Sequence, residues 1–334
     1  MILSLSPRIS ISPTLRGIFC GVGAGALWGV VFLTPEVAGA FTPLELTIGR
    51  YAAYGVIALV LIAPRWPRLR PLLTGRDWLT LARLALLGNS LYYILLASAV
   101  QLGGVAMTSL VIGFLPVIIT LIGSREHGAV PLQKLAPSLA LCGAGAVCIG
   151  WQAIAAPLDG GGPEQIIGFC CAIGALVSWT AFTVGNRRAL KSRAAFSAQD
   201  WNLLTGTMTG AQALVLISVA LLLHTGGHTA AQWSLFAGVS IGSAVLASIL
   251  GNALWNRMSQ LLPLTLVGQM ILFETMFALL YGFLWEQRLP TAVETTAFIL
   301  VAASVVSCIH SHRTALPKPA ALAGSSAGMA RRSQ

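Results

Sequence analysis

Apolar runs, each about the length needed to cross a bilayer, recur along the whole chain and are closed by proline, glycine or small basic clusters. Read as helices, they fall at roughly 17–37, 43–63, 78–98, 104–123, 132–152, 166–186, 201–223, 233–255, 263–284 and 290–310. The pattern predicts an all-α integral membrane fold of ten transmembrane helices. The stretch Pro157 to Glu164, PLDGGGPE, has the most linker character and lies near the middle. The expected organisation is therefore a short segment 1–16, a five-helix unit over 17–156, a linker over 157–165, a second five-helix unit over 166–310 and a disordered tail over 311–334.

Composition agrees with the pattern. The chain is 56% hydrophobic and 9% charged, with a mean hydropathy of +0.81, whereas ordinary soluble domains carry about 25% charged residues. The net charge of +10 does not point to nucleic acid, because the basic residues sit in short clusters between apolar runs. With the N-terminus inside, Arg8, Arg16, Arg65, Arg68, Arg70, Arg76, Arg125, Lys134, Arg187, Arg188, Lys191, Arg193, Arg257, Arg313, Lys318, Arg331 and Arg332 all fall on the cytoplasmic side. Only Arg288 falls outside, and Arg50 and Arg83 lie within helices. The positive-inside bias predicts both termini in the cytoplasm and a multi-pass protein of a bacterial inner membrane. Arg8 and Arg16 before an apolar run resemble a signal peptide, but the run from Gly17 is too long for one and reads as the first span. The six cysteines lie in apolar segments without a CxxC pair or histidine cluster, so no metal or other cofactor is expected.

Self-similarity adds an architecture. Leu87-Gly88-Asn89-Ser90-Leu91 recurs as Leu250-Gly251-Asn252-Ala253-Leu254, Gly25-Ala26-Leu27 with Trp28 is echoed by Gly174-Ala175-Leu176 with Trp179, and Thr47-Ile48-Gly49 aligns loosely with Leu204-Thr205-Gly206. The matches keep their order in two sets of five helices, and an odd number requires the second set to be inserted upside down. Such inverted repeats are the architecture of many secondary transporters, with a solute site between the halves near the bilayer midplane.

At these residues the chain resembles the drug/metabolite transporter superfamily, in particular its EamA family. The resemblance rests on Gly25-Ala26-Leu27-Trp28-Gly29, on Pro43 with Arg50 seven residues later, on Phe114-Leu115-Pro116-Val117 ahead of Glu126, and on Phe273-Glu274-Thr275 ahead of Glu286. It covers about residues 17 to 310. It implies a ten-helix carrier with cytoplasmic termini, often a bacterial exporter of amino acids or other metabolites. Two departures stand out: Thr275 replaces a usual proline, and Thr207 stands where the first unit has Arg50.

Several residues are candidates for the site. Glu274 lies midway along the apolar run from Pro263 to Leu284, where a carboxylate costs roughly 2.5–3.5 kcal/mol on insertion scales. Either a neighbour satisfies it structurally or it couples transport to protons. Arg50, about 10 Å inside the outer surface, either snorkels toward Glu45 or Glu36, binds a substrate carboxylate, or pairs with Glu274. Asn89 and Asn252 occupy matching repeat positions and serve either helix packing or solute contact. Trp28, Tyr51, Tyr54, Tyr92, Tyr93, Trp179, Trp255 and Tyr281 are candidate cavity walls, those near helix ends being equally interface anchors, and Gln269 completes the solute-binding set. Gly21, Gly25 and Gly29, like Gly206 and Gly210, form close-packing faces.

The function expected is secondary transport, by alternating access, of a small polar or amphipathic metabolite, an amino acid or related compound, with export favoured. The rivals are a membrane-embedded enzyme, a channel, and a carrier of hydrophobic drugs or nucleotide-type solutes. The histidines lie in loops or at helix ends and face no close acidic pair, and no segment looks like a selectivity filter. The expected partners are a small-molecule solute and the lipid bilayer, with no nucleic acid, in a monomer or homodimer.

Overall fold

A computed structural model of the chain describes residues 12–125, 131–155, 163–223, 227–287, 289–290 and 292–315. Residues 1–11, Glu126, His127, most of the expected linker, His224, Arg288 and the tail beyond 315 lie outside the described residues. Among the described residues all regular structure is helical. Six stretches, Pro13–Val37, Pro43–Leu72, Gly75–Leu102, Ile166–Ser192, Ala198–Leu222 and Ala230–Leu261, are long and apolar enough to cross a bilayer, and Leu266–Gly282 and Thr295–Cys308 are shorter apolar helices. Val56, Leu59, Val60, Leu214, Val215 and Val177 stand exposed on helix flanks, as a lipid-facing surface requires. The protein is a multi-pass membrane protein.

The main helices are α1 (Pro13–Gly29), α2 (Pro43–Ile62), α3 (Gly75–Ala85), α4 (Leu91–Ile112), α5 (Leu115–Gly123), α6 (Leu132–Ala155), α7 (Pro163–Ser192), α8 (Ala198–Leu222), α9 (Ala230–Ser243), α10 (Asn252–Leu261), α11 (Leu264–Met270), α12 (Leu272–Glu286) and α13 (Ala292–Ala315). Their starts are written in the sequence. Capping boxes open α2, α3 and α9, pairing Thr42 with Glu45, Thr74 with Asp77 and Thr229 with Gln232, so that side chains satisfy the orphan N–H groups of the first turn. Ser197 caps α8 by accepting from the Asp200 N–H.

Across the bundle, α1 packs on α10 and α12, α2 on α8, α4 on α7, α5 on α11, and α6 on α13. Glycine permits the closest approaches. A Cβ on Gly25 would stand 2.8 Å from the backbone nitrogen of Glu274, and one on Gly55 would collide with the Cα of Gly210, so backbone meets backbone there.

Two π-helical turns interrupt the spans. Leu86–Ser90 joins α3 to α4 and Ala244–Gly251 joins α9 to α10, and each overlaps one copy of the repeated Leu-Gly-Asn. A π turn rearranges the backbone ladder and frequently marks a functional position.

The expected helix 263–284 tightens at one residue. Ile271 keeps helical dihedrals (φ −61°, ψ −30°), but Ile271 N–H donates to the Gly268 carbonyl at 3.3 Å and Glu274 N–H to the Ile271 carbonyl at 2.9 Å, three residues back where an α-helix reaches four. Val267 to Leu272, around this step, are buried. In the first half, helix continues from Leu91 to Ile112 across the gap expected at 99–103. The interruption falls at Gly113–Phe114, just before Pro116, whose missing N–H is not needed in the first turn of α5.

Candidate functional site

Three tryptophans from three helices meet. Trp28 of α1 lies 5.0 Å from Trp255 of α10 and 5.6 Å from Trp179 of α7, while Trp179 and Trp255 are 5.1 Å apart, centroid to centroid. Tyr92 of α4 adds a fourth ring 6.1 Å from Trp179. These are edge and tilted contacts, the arrangements aromatic quadrupoles favour. Trp28 is fixed further by its indole N–H, which donates to the Ala247 carbonyl in the second π turn at 3.0 Å. Of the aromatic residues weighed as cavity walls, Trp28, Tyr92, Trp179 and Trp255 come together. Tyr281 instead donates to the Ala26 carbonyl and ties α12 to α1.

Arg50 sits beside this cluster, almost wholly buried. Its Nε donates to Ser248 Oγ at 3.1 Å, and its guanidinium carbon lies 4.8 Å from the ring centre of Tyr93 and 5.2 Å from that of Tyr51. A cation over desolvated rings gains about 2 kcal/mol, which offsets part of the cost of keeping it from water. The expected partner Glu45 is engaged elsewhere, since it closes the Thr42 cap and meets His228 Nε2 at 3.3 Å. Arg50 therefore does not snorkel to it, and Arg83, by contrast, is exposed.

Glu274 lies in the first turn of α12, three residues after the tightened step at Ile271, and its side chain is buried. Among the described residues the ion pairs within 4.0 Å are Arg65–Asp200, Arg193–Asp77 and His228–Glu45, so Arg50 and Glu274 do not form one. Tyr92 lies near both groups, and Tyr51 and Tyr93 lie against Arg50. Arg50 and Glu274 thus share one part of the interior without forming an ion pair.

The remaining candidates are held in polar contacts of their own. Tyr54 donates to Asn202, whose amide in turn donates to the Ile249 carbonyl at 3.1 Å, and Asn252 lies beside the same tyrosine hydroxyl. Asn89 bonds Thr209 at 3.0 Å. Gln269 lies just before the tightened step and accepts from Ser304 of α13 at 3.4 Å. Ser248, Asn202 and Thr209 are not among the sequence candidates. All three are small polar residues inside apolar helices, and only Ser248, four residues before Asn252, lies close to a repeated asparagine.

A solved crystal structure shares the fold, with a TM-score of 0.67 at 19% identity over 89% of this chain and 98% of that one. The model of the EamA-like transporter family matches residues 15–151. The inner membrane protein YtfF of Escherichia coli (strain K12) is 32% identical over 322 residues, covering 89% of this chain and 96% of that protein. This chain belongs to the EamA-like transporter family. As an EamA-like protein it is a membrane transporter of the drug/metabolite superfamily, and the buried Arg50, the Glu274 carboxyl and the tryptophan cluster are the chemistry it has available in its interior. The family match spans α1 to α6, so Arg50, Asn89 and Tyr92 lie within it and Glu274 beyond it.

Proposed function

We propose that this chain is a secondary carrier of a small carboxylate-bearing metabolite with an apolar body, an amino acid or related compound, exported across the inner membrane by alternating access. The observation that carries this reading is the position of Arg50, buried over Tyr93 and Tyr51 and near the tryptophan cluster, yet out of contact with any carboxylate among the described residues. A desolvated guanidinium recognises a carboxylate through paired N–H donors, and aromatic rings accept the apolar remainder. Glu274 is a buried carboxyl beside an irregular helical step, within the interior that also holds Arg50. In this reading it takes up a proton in one state and yields it in the other.

Ten spans in two inverted halves would make the site accessible from each face in turn. Support for that symmetry comes from the pairing of α2 with α8, α4 with α7 and α1 with α10, and from a π turn at each copy of the repeat. The two bundle ends are closed differently. One holds the reciprocal pairs Arg65–Asp200 and Arg193–Asp77, and the other holds Phe41, His228, Trp233 and Phe236 in mutual ring contact. Rocking of the halves would open one end as it closes the other. The protein would work as a monomer or homodimer with both termini in the cytoplasm.

The test is untargeted metabolite analysis of medium from cells with and without the gene, followed by counterflow of the leading solute in proteoliposomes. Saturable counterflow of a carboxylate-bearing solute is expected. Ionic current without counterflow would contradict the carrier reading.

A further inference from the structure

Below the tryptophan cluster, toward the end of the bundle that carries Arg193, helices α7 and α10 face each other through polar residues. On α7, Trp179, Thr183 and Asn186 follow at spacings of four and three, which places them along one face. On α10, Trp255 and Asn256 are adjacent. Two links join the helices: the Trp179–Trp255 ring contact and a bond from Asn186 Nδ2 to Asn256 Oδ1 of 2.7 Å. Trp201 of α8 donates to Asn186 Oδ1 at 2.9 Å, so both asparagines are held in place.

Within this framework two polar atoms have no partner. Thr183 is 1% exposed and Trp255 2% exposed, and neither Thr183 Oγ1 nor Trp255 Nε1 has a hydrogen-bonding group within reach among the described residues. Buried polar atoms are nearly always paired. Elsewhere in this protein Thr180, Thr205, Thr207 and Thr209 bond back to the carbonyl four residues earlier, and the Trp28 and Trp201 indoles both donate. An indole N–H only donates, and a threonine hydroxyl can donate. What the two lack is an acceptor.

We propose that Trp255 Nε1 and Thr183 Oγ1 form a subsite on the solute path, distinct from Arg50, which receives an oxygen acceptor of the transported molecule, a carboxylate or carbonyl oxygen, as it passes between the tryptophan cluster and the Arg193 end. The inference rests on the carrier reading above and adds to it where the acceptor group is handed on. In the resting protein the two donors are strained by desolvation, and the solute relieves that strain only while it occupies the subsite. Removing a buried unpaired donor relieves the resting protein too, so the two effects have opposite signs.

The experiment compares Trp255→Phe and Thr183→Val with the unmodified full chain, purified and reconstituted, using counterflow of a radiolabelled pool of the proteinogenic L-amino acids and thermal unfolding in detergent. Phe keeps an aromatic ring but loses the five-membered ring with its N–H, and the void it leaves costs stability; Val keeps the shape and loses only the hydroxyl. The proposal expects Thr183→Val to unfold at the same or a higher temperature, and each variant to show a KM for counterflow raised about tenfold, the equivalent of one charge-assisted hydrogen bond. An unchanged KM in the variants beside active wild type overturns the subsite while leaving the carrier reading intact. If Trp255→Phe fails to fold, Thr183→Val decides alone. A wild-type chain without counterflow of any pooled amino acid overturns the substrate class, and the subsite with it.

Discussion

Arg50 of α2 donates from Nε to Ser248 Oγ, 3.1 Å away in the π turn that precedes α10. The bond ties the buried cation of α2 to a side chain of that π turn, and Tyr93 supplies the ring beneath the guanidinium. Tyr93→Phe keeps the ring but loses the hydroxyl contact with Thr34. Tyr93→Leu loses both. Transport by Tyr93→Phe should stay within about threefold of wild type, a loss below 1 kcal/mol. Tyr93→Leu should raise KM about tenfold, near the upper value for a desolvated cation over a ring. Counterflow kinetics of the two variants side by side check the order.

Glu274 follows the tightened step at Ile271 and shares its surroundings with Arg50 and Tyr92. If its carboxyl carries the coupling proton, Glu274→Gln fixes the neutral form and removes the group that titrates. Net transport driven by a pH gradient should vanish, and exchange of internal for external solute should become independent of pH between about 6 and 8, where carboxyls exposed to water stay ionised. A pH profile of exchange unchanged from wild type would remove Glu274 from the coupling step.

Gly55 and Gly210 bring α2 and α8 to backbone contact. Gly55→Val drives the helices apart and should destabilise by about 1–3 kcal/mol, as overpacking does. Gly75, at the start of α3, has open space around its would-be Cβ. Gly75→Ala should leave stability unchanged or slightly improved, because alanine loses less backbone entropy. Thermal unfolding of the purified variants in one detergent separates the two.

The ion pairs at the end of the bundle predict unequal losses. Arg193 lies 2.6 Å from Asp77 with its side chain 21% exposed, and also covers the Trp201 ring at 5.3 Å, whereas Arg65 meets Asp200 at 3.0 Å with its side chain 47% exposed. Arg193→Ala should therefore cost more than Arg65→Ala, about 1–3 kcal/mol against less than about 1. Unfolding temperatures of the two variants at low and high salt check this, with the Arg65 effect the more readily screened.

Much of this was legible in the residues, and the reasons it stopped are physical. Spans such as Pro43–Leu72 and Ala198–Leu222 declare themselves through apolar length and proline or serine starts. Trp28, Tyr92, Trp179 and Trp255 were nameable because bulky aromatics are rare among small residues. The tightened step at Ile271 was not, since no proline marks it and the run from Leu262 to Leu284 reads as one apolar helix. Gly25 of α1 meets the backbone of Phe273 and Glu274 just beyond it. Arg50 was visible as a cation too deep for lipid, but its partners were not. Glu45 looked nearer along the chain, yet the Thr42 cap claims it first, and Ser248 comes from nearly two hundred residues away. The continuity of α4 through residues 99–103 was hidden because nothing local distinguishes a helix that ends there from one that runs on to Gly113.

The most direct measurement is saturable solute counterflow by wild type and Arg50→Lys in matched proteoliposomes, using the carboxylate-bearing solute that metabolite analysis identifies. Lysine keeps the charge but loses the planar fork and its fit over Tyr93 and Tyr51. Saturable counterflow in wild type with KM raised at least about tenfold in the variant, and equal protein folded in both, is the predicted result. Equal KM in the two would contradict a solute carboxylate held by Arg50.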